Sequence, residues 1–197
     1  QKVTQDLVQN ISGFHSYLHW FLHEKYAGKI RGETNELDRV NHWSRKMGFG
    51  DLLDKQSGDN QITGFFSDSA MDIDVPIVDG GFGGNVFLPL LMEAYSFRDG
   101  ILLIEEPEIS LHPGAQGDLV DFFLELARDR NHQIIFTSHS EYLLKKFKKW
   151  HEKAEDNSTV GIFFAKKNKN GSALTEIPLA EIDLAQTSDL LIELTER

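Results

Sequence analysis

Glu105 and Glu106 are adjacent carboxylates at the end of an apolar run, Ile101-Leu102-Leu103-Ile104, and Pro107 and Glu108 follow them. A second apolar run, Ile134-Ile135-Phe136, leads into Thr137-Ser138-His139-Ser140. A continuous aliphatic run reads as a fully buried parallel strand, and ligands sit beyond the carboxyl ends of such strands. A pair of charges there is costly unless compensated, and a divalent metal is a common compensation. One carboxylate can hold Mg²⁺ directly or through water. Its neighbour, pointing to the other side, can polarise a water for in-line attack on a phosphate. His139 lies 33 residues after Glu106, at the end of the next predicted strand, where an imidazole can contact a terminal phosphate and help place that water. Each piece has a plainer reading. The acids suit a surface Glu-Glu turn, and the histidine suits a capped turn that only hydrogen-bonds backbone. The combination favours nucleotide hydrolysis.

The third element is Asp79-Gly80-Gly81-Phe82-Gly83-Gly84-Asn85, opening an apolar helix near Val86. Glycines before a helix expose backbone N–H groups at the positive end of the helix dipole, which attracts anions. The alternative is a flexible entry loop. No G-x-x-x-x-G-K-[ST] phosphate-binding motif occurs in the 197 residues, and the context of a dinucleotide fingerprint is incomplete.

These groups need strands and helices to position them. Apolar positions Val3, Leu7, Ile11, Phe14, Leu18, Phe21 and Leu22 predict an amphipathic helix over 3–27, broken near Gly13. Leu37, Val40, Trp43 and Met47 predict a second helix over 34–47, with Thr34 as a candidate N-cap. Residues 48–70 read as loops plus a short strand at 62–66, and 72–78 as a strand entering the glycine cluster. Strands over 101–104 and 133–137 alternate with helices over 86–97, from Pro113, and from Ser140 to about Trp150. Residues 160–165 and 173–178 predict a strand pair around Asn170-Gly171, and 183–195 a last helix. Strand–helix alternation argues an α/β fold with a mainly parallel sheet flanked by helices.

Composition narrows the function classes. The chain is long enough for one domain with a sizeable core, and 40% hydrophobic with 26% charged residues is ordinary for a globular protein. A net charge of −11 argues against a generally basic, nucleic-acid-coating protein. The runs Lys145-Lys146-Phe147-Lys148-Lys149 and Lys166-Lys167-Asn168-Lys169 read as solvated surface before phosphate-contacting patches. The sequence lacks cysteine, which rules out disulfides and thiolate zinc sites. No apolar run approaches the roughly 20 residues that span a bilayer, and the polar start does not read as a signal peptide. The expectation is a cytoplasmic protein without a membrane partner. Asn-x-Ser/Thr triplets at Asn10, Asn157 and Asn170 then read as chance matches. The absence of Met at position 1 suggests a trimmed or partial chain.

Taken in order, Gly81-Phe82-Gly83, Leu88-Pro89-Leu90-Leu91, ILLIEEPEISLHPGAQ and QIIFTSHSEYLL resemble the carboxyl-terminal half of an ABC-type ATPase head. The resemblance is to OLD-like and SMC/RecF-like AAA ATPases, and its motifs span residues 79–144. Residues 1–78 match only loosely, as the helical insertion before the signature loop, with 79–197 as the head part itself. The resemblance implies a P-loop NTPase-like fold, ATP and Mg²⁺ as cofactors, and a homodimer that sandwiches nucleotide. It makes 101–106 the Walker B strand, Glu105 the Mg²⁺-associated acid, Glu106 the general base and His139 the switch histidine. Residues 108–112 resemble the D-loop. Gly81, Phe82, Gly83, Gly84 and Asn85 resemble the signature loop that contacts the partner's ATP. Relatives commonly carry Ser-Gln where Asn85-Val86 stand here. The phosphate-binding motif of such heads lies on their amino-terminal half, which is the implied missing partner. DNA repair or phage defence is the implied setting, with nucleic acid or a nuclease as a further partner. Two other readings stand beside this one. The first is the ATPase part of an OLD-like endonuclease whose nuclease domain is elsewhere, since Glu181 and Asp183 alone make no nuclease cluster. The second is a catalytically silent interaction module.

Overall fold

Val40 and Trp43, three residues apart, face the core from helix α1 (Glu36–Lys46), and Met47 is buried just past its end. The computed structural model describes residues 36–57, 61–68, 71–153, 160–169 and 171–182. The helices predicted over 3–27 and 183–195, and the cap at Thr34, lie outside the described residues.

The weakly patterned segment after α1 folds as strands β1 (Asp51–Ser57), β2 (Gln61–Asp68) and β3 (Ile73–Pro76), antiparallel in that order. Only a strand at 62–66 was expected in its first part. Pairing supplies what periodicity lacks: Leu52 sits opposite Phe66, and both are buried on one face. A 3₁₀ turn at Ile77–Asp79 leads into helix α2 (Gly81–Ser96). Phe87, Leu88, Leu91, Met92, Ala94 and Tyr95 of α2 are buried, as expected of a helix that is apolar nearly all round.

Strand β4 (Ile101–Glu105), helix α3 (Pro113–Arg130), strand β5 (Gln133–Thr137) and helix α4 (Glu141–His151) follow. Each boundary has a local cause. Pro113 opens α3, and His112 Nδ1 accepts from the Gly114 N–H at 3.2 Å. Asn131 ends α3 with a left-handed φ of 54°. Ser140 caps α4 by accepting from the Leu143 N–H at 3.3 Å. Strands β6 (Phe163–Asn168) and β7 (Gly171–Glu176) form the expected antiparallel pair. The α/β class stands. Among the described residues, parallel pairing is confined to β4–β5, because the other strands follow their partners through short turns.

One hydrophobic cluster takes residues from α1, β1, β2, α2, β4, α3 and α4, on both sides of position 78. Aromatic rings meet at its centre around Phe122. β4 departs from the fully buried strand its sequence suggests. Leu102 is buried, whereas Ile101 and Leu103, with Ile135 on β5, are 60%, 76% and 52% exposed. Phe136 packs between Phe123 of α3 and Phe147 of α4, so these helices cover one face of the pair. The opposite face is open and apolar.

An ionic network ties α1 to α3. Arg39 reaches Glu125 at 3.2 Å and Asp129 at 3.3 Å, and the Tyr95 hydroxyl donates to Glu125 at 2.9 Å. Burial, reinforced by Glu125, pushes the Tyr95 phenol well above its ordinary value. The hydrogen bond from Arg128, and then that from Arg39, hold the Asp129 carboxyl below the usual carboxylate range. A depressed folded-state pKa contributes stability above the unfolded value, and that contribution disappears as pH falls through the folded one. Asp129→Asn should therefore be less stable than the parent at neutral pH, and the gap should close below about pH 4 in denaturant titrations.

Candidate functional site

The parallel register pairs Ile101 with Gln133 and ends with Glu105 opposite Thr137. The two chains thus leave the sheet side by side. The Glu106 N–H extends the pairing by donating to the Thr137 carbonyl at 3.1 Å and lies 3.3 Å from its Oγ1. Glu106 adopts a left-handed φ of 44°, which turns the chain at the strand end. Ser110, in the same loop, has a φ of 61°. Two non-glycine residues held there mark a backbone over-determined by its surroundings.

This turn brings Glu106 Oε1 to 3.4 Å from His139 Nε2, with the two side chains 44% and 77% exposed. An acceptor for a water proton and an imidazole able to donate to an anion share one solvent-accessible spot. Glu105 is exposed with Ile101 and Leu103 on the open face of β4, as strand alternation requires. The structure therefore pairs Glu106 with His139 and sets Glu105 on the other side of the strand end.

The glycine cluster differs from expectation. Gly81, Phe82, Gly83, Gly84 and Asn85 form the first turn of α2, which starts five residues before Val86. Packing explains the early start. A Cβ on Gly83 would stand 2.8 Å from the Ser110 carbonyl oxygen, and one on Gly84 would stand 3.1 Å from the Phe66 ring. Gly81 takes a φ of 77° with open space around its α-carbon. The first-turn N–H groups, which lack intrahelical partners, thus belong to a helix end seated against the loop after β4.

The acid–imidazole pair lines an open surface depression of about 620 Å³, together with Glu108, Ser110, Gln116 and Tyr142 among others. Glu108, which the resemblance places only within the D-loop region 108–112, has a role of its own here. It is buried, and its Oε1 accepts from Ser138 Oγ at 2.6 Å and from the His139 N–H at 2.8 Å. The meeting of the two loops buries it and supplies both donors.

Among the described residues no three His, Asp or Glu side chains cluster as a metal cage. Mg²⁺ at nucleotide sites takes one or two carboxylates, with phosphates and water filling the rest of its octahedron. The lone exposed carboxylate of Glu105 fits a metal ion that arrives with nucleotide.

Over residues 13–144 the sequence matches the AAA ATPase domain family. The chain belongs to this family of AAA ATPase domains. The matched span of the AAA ATPase domain includes the glycine turn, the Glu105-Glu106 strand end and His139. No curated protein matches it significantly. Solved structures similar to it include SMC ATPase heads. One comes from work on ATP-driven dimerisation and DNA-stimulated activation of SMC ATPases, with TM-score 0.54, 10% identity, and 82% of this chain and 92% of that one covered. Another is an Smc head bound to the C-winged helix domain of ScpA, with TM-score 0.52, 10% identity, and 73% and 42% covered. A third, from Pyrococcus yayanosii, is an Smc head with a coiled coil and joint, with TM-score 0.53, 11% identity, and 80% and 28% covered. At these identities the likeness concerns the fold. The domain has the P-loop NTPase-like fold of these ATPase heads, and it spans less than half of the second and third of these chains.

Proposed function

We propose that this domain is the carboxyl-terminal part of an ATP-hydrolysing head that dimerises around nucleotide, closing with ATP and opening after hydrolysis. The observation that carries the reading is the 3.4 Å approach of Glu106 to His139 at the ends of adjacent parallel strands. Glu106 orients the attacking water and accepts its proton. His139 faces the terminal phosphate and donates to it as charge builds. Glu105 would help hold a Mg²⁺ ion that accompanies the nucleotide, and that ion would supply neutralisation of phosphate charge. The first turn of α2, from Gly81 to Asn85, presents backbone N–H groups to the nucleotide of the second subunit.

The open apolar face of Ile101, Leu103 and Ile135 supports a further part of this reading. Parallel sheets are covered on both faces. The layer that completes this one is the amino-terminal half of the same head, which carries the phosphate-binding loop. The setting is cytoplasmic and linked to DNA, in repair or phage defence, in keeping with a structural neighbour described as DNA-stimulated.

Light scattering of the full-length protein with Mg²⁺ and a non-hydrolysable ATP analogue tests the switch. The mass is expected to double with the analogue and to return to the monomer value with ADP. A mass unchanged by nucleotide counts against the proposal. Absence of ATP binding in calorimetry would favour a silent interaction module.

A further inference from the structure

We infer that Glu108 is a positioning residue whose buried carboxylate latches the 138–140 loop and thereby holds His139 beside Glu106. The inference rests on the hydrolytic role proposed for that pair. His139 is mostly exposed, so packing does little to fix its ring. What fixes it is its backbone, and the backbone is gripped from the neighbouring loop. Glu108 is only 7% exposed, and its Oε1 receives both Ser138 Oγ and the His139 N–H. Hydrogen bonds to an ionised acceptor are shorter and roughly twice as strong as neutral ones.

A latch of this kind is costly. Glu108 Oε2 is buried without a hydrogen-bond partner. A carboxylate with half of its acceptor capacity unused in the interior destabilises the fold relative to a well-packed apolar residue. The two bonds it makes complete no helix or sheet. They join the loop after β4 to the loop after β5, the two segments that supply the acid and the imidazole.

The joint is closed by a second set of bonds. The Ser140 N–H donates to Ser138 Oγ at 3.0 Å, and Ser140 Oγ donates to Gln116 Oε1 at 2.5 Å. Gln116 Nε2 then donates to the Leu111 carbonyl at 3.1 Å, returning to the loop that contains Glu108. Ser110 of that loop is the residue against which Gly83 packs. Packed and hydrogen-bonded groups thus run continuously from the glycine turn to the His139 loop.

The test uses full-length protein labelled with ¹⁵N-histidine, in the parent and in Glu108→Gln, Glu108→Ala and His139→Ala. The last variant assigns the His139 amide resonance. The parent amide, bonded to a carboxylate, is expected downfield and protected from exchange. Both Glu108 variants should move it upfield. Misplacement by about 1 Å costs roughly 100-fold in rate, so Glu108→Ala should lose about 100-fold in kcat, with Glu108→Gln intermediate. KM should stay within about threefold, because no substrate contact is removed. A folded Glu108→Ala protein with unchanged kcat and an unmoved His139 amide overturns the inference, and so does a rate loss with that amide unmoved. Should Glu108→Ala not fold, the isosteric Glu108→Gln gives the same two readings. If the parent protein hydrolyses no ATP, the hydrolytic reading of the pair fails, and the amide shift alone decides whether the latch exists.

Discussion

Full-length protein carrying Glu106→Gln should bind ATP nearly as the parent does and hydrolyse it about 10²–10⁴ times more slowly, the usual contribution of a positioned general base. Gln has the shape of Glu and leaves the backbone untouched, so the Glu106 N–H keeps its bond to Thr137 and the left-handed turn persists. The variant loses an acceptor basic enough to take a proton from the attacking water. In the proposed mechanism binding would rely on phosphate contacts and Mg²⁺, which the amide does not remove. Single-turnover kinetics separate the two effects, with calorimetry reporting the affinity. Bound nucleotide without hydrolysis should also hold the dimer closed. Turnover at the parent rate would remove Glu106 from the mechanism.

A second large effect is expected far from the chemistry. Phe122→Ala should destabilise the fold by about 3–5 kcal/mol, the usual cost of emptying a large aromatic site in a core. Phe122 is fully buried. Its ring lies 5.1 Å from Trp43, 5.6 Å from Phe87 and 6.3 Å from Tyr95, so the side chain joins α1, α2 and α3. Helices meeting through large rings cannot close such a hole by small adjustments. For a domain of this size the loss corresponds to a fall in Tm of roughly 6–20 °C. Calorimetric scans of the full-length protein check it, and a fall below about 3 °C would show that the site collapses to fill the space.

The two effects separate the parts of the molecule. Phe122→Ala acts on the packing that holds α3 and α2 in place, and activity should follow the folded fraction. Glu106→Gln acts on chemistry in a protein of unchanged stability. A variant that lowers kcat without lowering Tm belongs to the second group, and Glu108 is expected to fall there in part, because its buried charge contributes little net stability.

How much of this was legible beforehand depended on the kind of signal. Helices α1, α3 and α4 came from three-and-four spacing joined to end signals, Pro113 at a first turn and Ser140 at a cap. β4 and β5 came from unbroken aliphatic runs. Such signals are local, and local signals survive in a single sequence. β1 was not legible, because Asp51–Ser57 is polar and acquires its strand form by pairing with β2. The early start of α2 was hidden for a related reason. Glycine is a poor helix former, and only the close approach of Ser110 and Phe66 makes it the residue that fits.

By itself the sequence determined the α/β character and the candidate acids and imidazole, because apolar runs and residue chemistry are written along the chain. Tertiary structure alone decided which of them meet. The register that pairs Glu105 with Thr137 brings together Glu106 and His139, 33 positions apart, and the left-handed turn at Glu106 directs its carboxylate toward His139 rather than along the strand with Glu105. It also decided that Glu108 is interior and bonded to the 138–140 loop, since whether a carboxylate meets water or an N–H and an O–H donor depends on what a distant segment places above it.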